Sequence, residues 1–199
     1  GGRVLATAEA VINDPDVDIV CIFVPPWVRR NLVIQTAHAG KPIIATKPFL
    51  ATLDDCDAVE ASIKNTVRCG VFYNRTGNSG IETLKGVLDS GEIGRLALYK
   101  REWLHHYPQW NTWALDPEKN GGPFMDAMIH NLNEAHYLMG RPITASSFFS
   151  DNLSHTDVLY ADTEVMMLDF ADNGVAHLSI TWAADLEVHS TDGNYREHI

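Results

Sequence analysis

Three side chains in this sequence have the types and spacing for proton and charge chemistry: Lys47, Asp126 and His130. Lys47 follows an apolar run (Ile43, Ile44, Ala45) and Thr46, and Pro48 comes directly after it. Set at the carboxyl end of a strand, it presents an ammonium while the proline fixes the next backbone angle. Such a group stabilises an oxygen that gains negative charge during reaction. A surface lysine beside a turn proline has the same local sequence, so this signal alone is weak. Asp126 and His130 stand four apart and share one face of a helix. An imidazole beside a carboxylate makes a general base, because the carboxylate orients the ring and stabilises its protonated form. A first-turn Asp held by the helix dipole, next to a satisfied half-buried His, fits that spacing equally well.

These residues need elements to position them. "VDIVCIFV" (17–24) is a nearly continuous, β-branched apolar run, as expected of a strand covered on both faces, and Pro25–Pro26 ends it. Residues 29–40 have helical spacing with Gly40 as the stop, and 41–46 form a second strand. Thr52 is placed to cap a helix over 53–65, with Asp54 and Asp55 in its first turn. Residues 67–74 form a third strand. Strand–helix–strand–helix–strand with short loops predicts parallel pairing by right-handed crossovers, and ligands bind outside the carboxyl ends of such strands.

After Arg75 the pattern changes. An amphipathic helix over 80–94, ending near Ser90–Gly91, precedes a Trp-rich loop and a helix over 123–139 closed by Gly140 and Pro142. Strands are expected over 143–150, 162–170 and 174–183, with Asp172–Asn173–Gly174 as a hairpin turn. The predicted fold class is a partial Rossmann-type α/β domain over 1–75, then an α+β domain with a mostly antiparallel open sheet over 76–199.

Bulk properties narrow the function. The net charge of −11 and the absence of a basic stripe argue against nucleic acid as a partner. No apolar run approaches the ~18 residues that span a membrane. Three cysteines without CxxC spacing read as thiols of a reducing, cytoplasmic setting, with Cys21 and Cys69 in the core. A metal site is not expected. His136 lies six positions from His130, on the other side of the helix, and His105–His106 point to opposite faces of a strand. Trp110 and Trp113 are the tryptophans placed to line a sugar-sized pocket.

"DPDVDIVCIFVPP", "AGKPIIATKPFLAT", "YNR", "LDSGEIGRL", "GGPFMDAMIH" and "LMGRP" follow one another in the order of one large family. With these six motifs the chain resembles the glucose–fructose oxidoreductase and inositol dehydrogenase family of nicotinamide-dependent enzymes. The resemblance implies NAD or NADP as cofactor and a sugar, cyclitol or related polyol as substrate. It also implies a homo-oligomer assembled through the C-terminal sheet. Carried over residue by residue, it makes Lys47, Asp126 and His130 catalytic. Phe23, Val24, Pro25, Pro26, Thr46, Lys47, Pro48 and Asn74 become cofactor contacts. Arg75 and Trp113 join Lys47, Asp126 and His130 at the substrate.

The sequence departs from the family at four points. Thr46 stands where Glu is usual, Asn133 where Asp is frequent, and Arg29 where a His often follows the proline turn. No G-x-G-x-x-G occurs, so the loop that receives the pyrophosphate is expected upstream of Gly1 and the chain reads as an internal fragment. Two other functions suit the same fold: a non-catalytic cofactor- or sugar-binding regulator, and an NAD-dependent glycoside hydrolase.

Overall fold

The computed structural model describes residues 2–106, 113, 116–156 and 160–184. They divide into two compact units, Gly1–Tyr73 with Glu118–Asn120, and Asn74–Pro117 with Gly121–Ile199.

In the first unit, β1 (Val20–Ile22), β2 (Ile43–Thr46) and β3 (Cys69–Phe72) form a parallel sheet in the order β1-β2-β3. Helices α1 (Ala8–Ile12), α2 (Arg29–His38) and α3 (Leu53–Ile63) cover one face. Val20, Ile22, Ile43 and Ala45 point into that core, against Val33 and Ala37 of α2 and Val59 of α3. The Thr52 hydroxyl accepts the Asp55 N–H at 3.1 Å, which fixes the start of α3 as the capping rule requires.

The sheet's other face corrects the sequence reading. Burial along β1 alternates, and Cys21, Ile44 and Phe72 on the opposite side are exposed. A continuous apolar run predicts two covered faces, but among the described residues helices lie on one side only. Cys21 is therefore not a core thiol. Cys69 is half-buried, and burial pushes its thiol pKa up, away from reactivity.

In the second unit, α4 (Ser79–Ser90) begins where the Asn78 side chain accepts the Gly80 N–H at 2.9 Å. The sheet runs β4-β7-β6-β5, with β4 (Leu98–Leu104), β5 (Ile143–Asp151), β6 (Thr163–Phe170) and β7 (Gly174–Thr181). β5–β6 and β6–β7 pair antiparallel, and β4 pairs parallel with β7. Asp172 and Asn173 adopt φ of 61° and 66°, the left-handed pair of a tight hairpin turn. The single turn α5 (Pro117–Asn120), whose last three residues group with the first unit, precedes in sequence an i→i+5 helical segment, Phe124–Met128, that leads into α6 (Ile129–Met139). Phe124, Met128, Ala135 and Leu138 pack on Leu168, Phe170, Leu178 and Ile180 of the sheet. The opposite sheet face exposes Leu98, Leu104, Phe149 and Met167.

Two anchors hold this unit together. Arg141 donates to the carbonyls of Leu96, Met139 and Ala171, joining the end of α6 to the strand connections. A Cβ at Gly174 would lie 2.7 Å from Arg141 Nη2 and 3.1 Å from Met139 Sδ. Because these bonds pin the arginine, Gly174→Ala is expected to destabilise the protein by about 1–3 kcal/mol. A lowered urea midpoint with an unchanged slope would register this.

The second anchor is the Asp162 carboxylate, which accepts the N–H groups of Leu153, Ser154 and His155 at 3.0, 2.9 and 3.1 Å. It also bonds His155 Nδ1 and the Thr163 hydroxyl. Burial alone would raise its pKa, but these donors outweigh that cost and hold it at about 2, below the ordinary 3.8. Its stabilising contribution is therefore complete above about pH 4 and lost as pH falls through about 2. Thermal midpoints followed down the acid limb will show this loss, and Asp162→Asn will flatten it.

Candidate active site

In the first unit the loops leaving β1 and β2 meet on one side chain. Arg29, the first residue of α2, is 1% exposed. Its Nη1 donates to the carbonyls of Thr46 (2.5 Å), Phe49 (2.8 Å) and Pro48. Its Nη2 donates to the Val24 carbonyl and, at 3.0 Å, to the Thr46 hydroxyl. Lys47 is half-buried at the carboxyl end of β2, Pro48 is buried, and the peptide between them is cis. In the other loop Phe23 is exposed, Val24 and Pro25 are half-buried, and buried Pro26 opens a short 3-10 turn, Pro26–Val28. The structure thus brings Phe23–Pro26 and Thr46–Pro48 together.

This donor set fits the nicotinamide half of a dinucleotide. An ammonium, an exposed aromatic ring and rigid main chain sit at the carboxyl edge of a parallel sheet, where such ligands bind. Lys47 and the Phe23–Pro26 turn are the groups that would hold it.

In the second unit Asp126 lies in the i→i+5 segment and His130 in the first turn of α6, both half-buried. Wide helical turns of this kind are frequent at functional sites. Beneath them, buried Glu134 pairs with Arg101 at 3.1 Å. Arg101 also bonds the Tyr99 hydroxyl at 3.2 Å, which accepts from Asn131 at 3.3 Å. Glu134 is thus an anchor from α6 to β4. Arg75 stacks over the Trp103 ring at 4.5 Å, and burial pulls its pKa down while the Glu134 carboxylate opposes the shift. Asn74 is exposed and Trp113 half-buried; Trp110 falls outside the described residues.

One buried carboxylate escaped the sequence reading. Glu164 of β6 accepts the Phe124 N–H at the head of the helical segment, and the Ser150 hydroxyl at 3.0 Å. Burial pushes its carboxyl pKa up. Gly122, at φ +85°, passes so close that a Cβ there would lie 3.1 Å from Glu164 Oε1. Strand alternation was the available signal, since Glu164 shares its face with Met166, Leu168 and Phe170. Among the described residues no three His, Cys, Asp or Glu side chains gather as a metal cluster, and no helix is long and apolar enough to cross a membrane.

A three-stranded parallel sheet with helices, followed by an α+β unit with a mostly antiparallel sheet, defines a two-part fold of the partial Rossmann type. Family comparison gives the same result for both parts. Residues 2–73 match "Oxidoreductase family, NAD-binding Rossmann fold", and residues 81–196 match "GFO/IDH/MocA C-terminal domain". The chain belongs to the GFO/IDH/MocA oxidoreductase family. It is 30% identical over 148 residues to scyllo-inositol 2-dehydrogenase (NAD(+)) of Bacillus subtilis (strain 168), covering 69% of this chain and 40% of that protein. Inositol 2-dehydrogenase of Pseudomonas savastanoi pv. phaseolicola (strain 1448A / Race 6) is 29% identical over 176 residues, covering 86% of this chain and 50% of its own. The structure of levoglucosan dehydrogenase in complex with NADH and levoglucosan superposes with a TM-score of 0.82 at 23% identity, over 91% of this chain and 52% of its own. That likeness concerns the fold. The chain spans about half the length of the curated relatives it matches.

Proposed function

We propose that the protein carrying this chain is an NAD(P)-dependent oxidoreductase acting on a secondary alcohol of a sugar, cyclitol or related polyol. The observation that carries this reading is the half-buried Lys47, flanked by main-chain carbonyls that accept from Arg29, at the carboxyl edge of a parallel sheet that matches the NAD-binding Rossmann family. Inositol dehydrogenases among the relatives support the substrate class. Residues 1–75 would contribute to the cofactor domain and 76–199 to the substrate domain.

In this mechanism the substrate hydroxyl proton passes to His130. Asp126 orients the ring and stabilises its protonated form. The role proposed for the Lys47 ammonium is to stabilise the hydroxyl oxygen as it becomes an alkoxide. A nicotinamide cofactor held by Lys47 and the Phe23–Pro26 turn would supply the hydride acceptor for the carbon that bears this hydroxyl. Phe23, Val24, Pro25, Pro26, Thr46, Pro48 and Asn74 frame the cofactor side, and Arg75 and Trp113 the polyol.

The experiment is a fluorescence titration of the full-length protein with NADH and NADPH, followed by turnover on a polyol panel. Binding of one cofactor with reduction or oxidation of a polyol is expected. Failure to bind either cofactor would sink the proposal, and binding without turnover would favour a regulator.

We also propose that the exposed sheet face receives a second copy of the chain. Its apolar Leu98, Leu104, Phe149 and Met167 alternate with inward residues, and a flat open sheet face in water favours burial. Met167→Glu should convert the assembly to a smaller species by light scattering. An unchanged mass would place the contact elsewhere.

A further inference from the structure

Helix formation alone gives no reason for an arginine at position 29. A cation at the first turn faces the positive end of the helix dipole, and burying a guanidinium is costly unless its donors are satisfied. Arg29 is nevertheless 1% exposed, and its acceptors come from both loops that leave the sheet. One is the Val24 carbonyl after β1. The others, Thr46 O, Thr46 Oγ1, Pro48 O and Phe49 O, flank Lys47 on both sides. All five are neutral oxygens, so the side chain acts through geometry rather than through an ion pair.

We propose that Arg29 is a positioning residue that locks the Lys47 loop and the loop after β1 into one rigid body. With the main chain held before and after it, the Lys47 side chain departs from one backbone position relative to the Phe23–Pro26 turn, which narrows the region its ammonium can occupy. The planar fork of a guanidinium can hold diverging carbonyls at once, whereas a lysine offers a single nitrogen. Thr46 and Arg29, two separate oddities in the sequence, form one unit here through the 3.0 Å Nη2–Oγ1 bond. The catalytic consequence rests on the role proposed for Lys47 above; the clamp itself does not.

The test uses Arg29→Lys in the full-length protein with two independent readouts. The first is local: amide exchange over residues 46–51 and the rate at which an acetylating reagent modifies Lys47, read by mass spectrometry with Lys64 as internal control. The second is kinetic. The variant is expected to fold cooperatively, to exchange faster over 46–51, and to acetylate at Lys47 at a rate changed by about threefold or more. Its kcat should fall on the order of 10–100-fold with little change in substrate KM, because a displacement of about 1 Å at a reacting group costs that much. Guanidinium ion added to Arg29→Ala should restore part of the rate. Unchanged exchange and Lys47 acetylation would overturn the clamp. If no turnover is found with either cofactor even in the parent protein, the oxidoreductase reading fails while the local readouts still decide the clamp. Should Arg29→Lys not fold, Thr46→Val removes one bond of the set. A Lys47 acetylation rate identical to the parent's in that variant would equally overturn the proposal.

Discussion

Lys47→Met is expected to lower kcat for polyol oxidation by about 10³-fold while moving the thermal midpoint by no more than about 2 °C. Methionine has nearly the length of lysine and keeps the apolar stem that half-buries the residue, so packing around β2 survives. What disappears is the ammonium. A preorganised cation next to a developing alkoxide acts in a water-poor site, where loss of one such donor costs about 10²–10³ in rate. The loss should appear in kcat more than in KM, since the charge forms only as the reaction proceeds. Lys47→Arg should not restore the rate, because the wider guanidinium cannot stand in for a point charge on a fixed backbone. Cofactor titration of the Met variant provides the control. Unaltered turnover would remove Lys47 from the chemistry and leave it a loop residue.

The second large effect is expected at His130. His130→Gln keeps a polar side chain of similar reach but cannot accept the substrate proton, and kcat should fall by about 10²–10⁴-fold. The pH profile carries more information than the size of the drop. If His130 is the base, kcat/KM for alcohol oxidation rises with pH along an acidic limb in the parent protein, and that limb disappears in the variant. Asp126→Asn should leave the limb in place but shifted to lower pH, because a neutral amide stabilises the protonated ring less than a carboxylate does. A profile with its acidic limb intact in His130→Gln would assign the proton to another group. The Arg101–Glu134 pair, which anchors α6 to β4, is left in place by all of these substitutions.

Much of the scaffold was legible because local chemistry punctuates it. Thr52, Asn173 and Gly140 each mark a boundary through a single preference, a cap or a left-handed backbone, and the elements begin or end there. Asp126 and His130 stood out by their four-residue spacing, and the structure sets the first in the wide turn and the second in the first turn of α6. Three features were not legible, for distinct reasons. The apolar run around Cys21 gave no sign that its second face is exposed in this chain, because hydrophobicity reports burial without naming what covers it. The parallel pairing of β4 with β7 depends on a contact between distant segments, and no local rule encodes it. Arg29 drew notice only as a departure from the family's histidine. Its work lies in main-chain oxygens, which every residue has and no sequence displays.

The pairing of β4 with β7 also bears on how the chain acquires its structure. Leu98 is hydrogen-bonded alongside Val175, more than seventy residues later. During synthesis at about 5–20 residues per second, β4 therefore waits roughly 4–15 s for the strand it pairs with among the described residues. Contacts of such long sequence separation slow folding, because the loop must close before the pairing stabilises anything. The β6–β7 hairpin closes through its own short turn, whereas β4 reaches β7 only across a connection of long sequence separation. Tyr99 and Trp103 of β4, which pack with the core of the second unit, depend on that long-range closure, whereas the parallel strands of the first unit follow one another at shorter intervals.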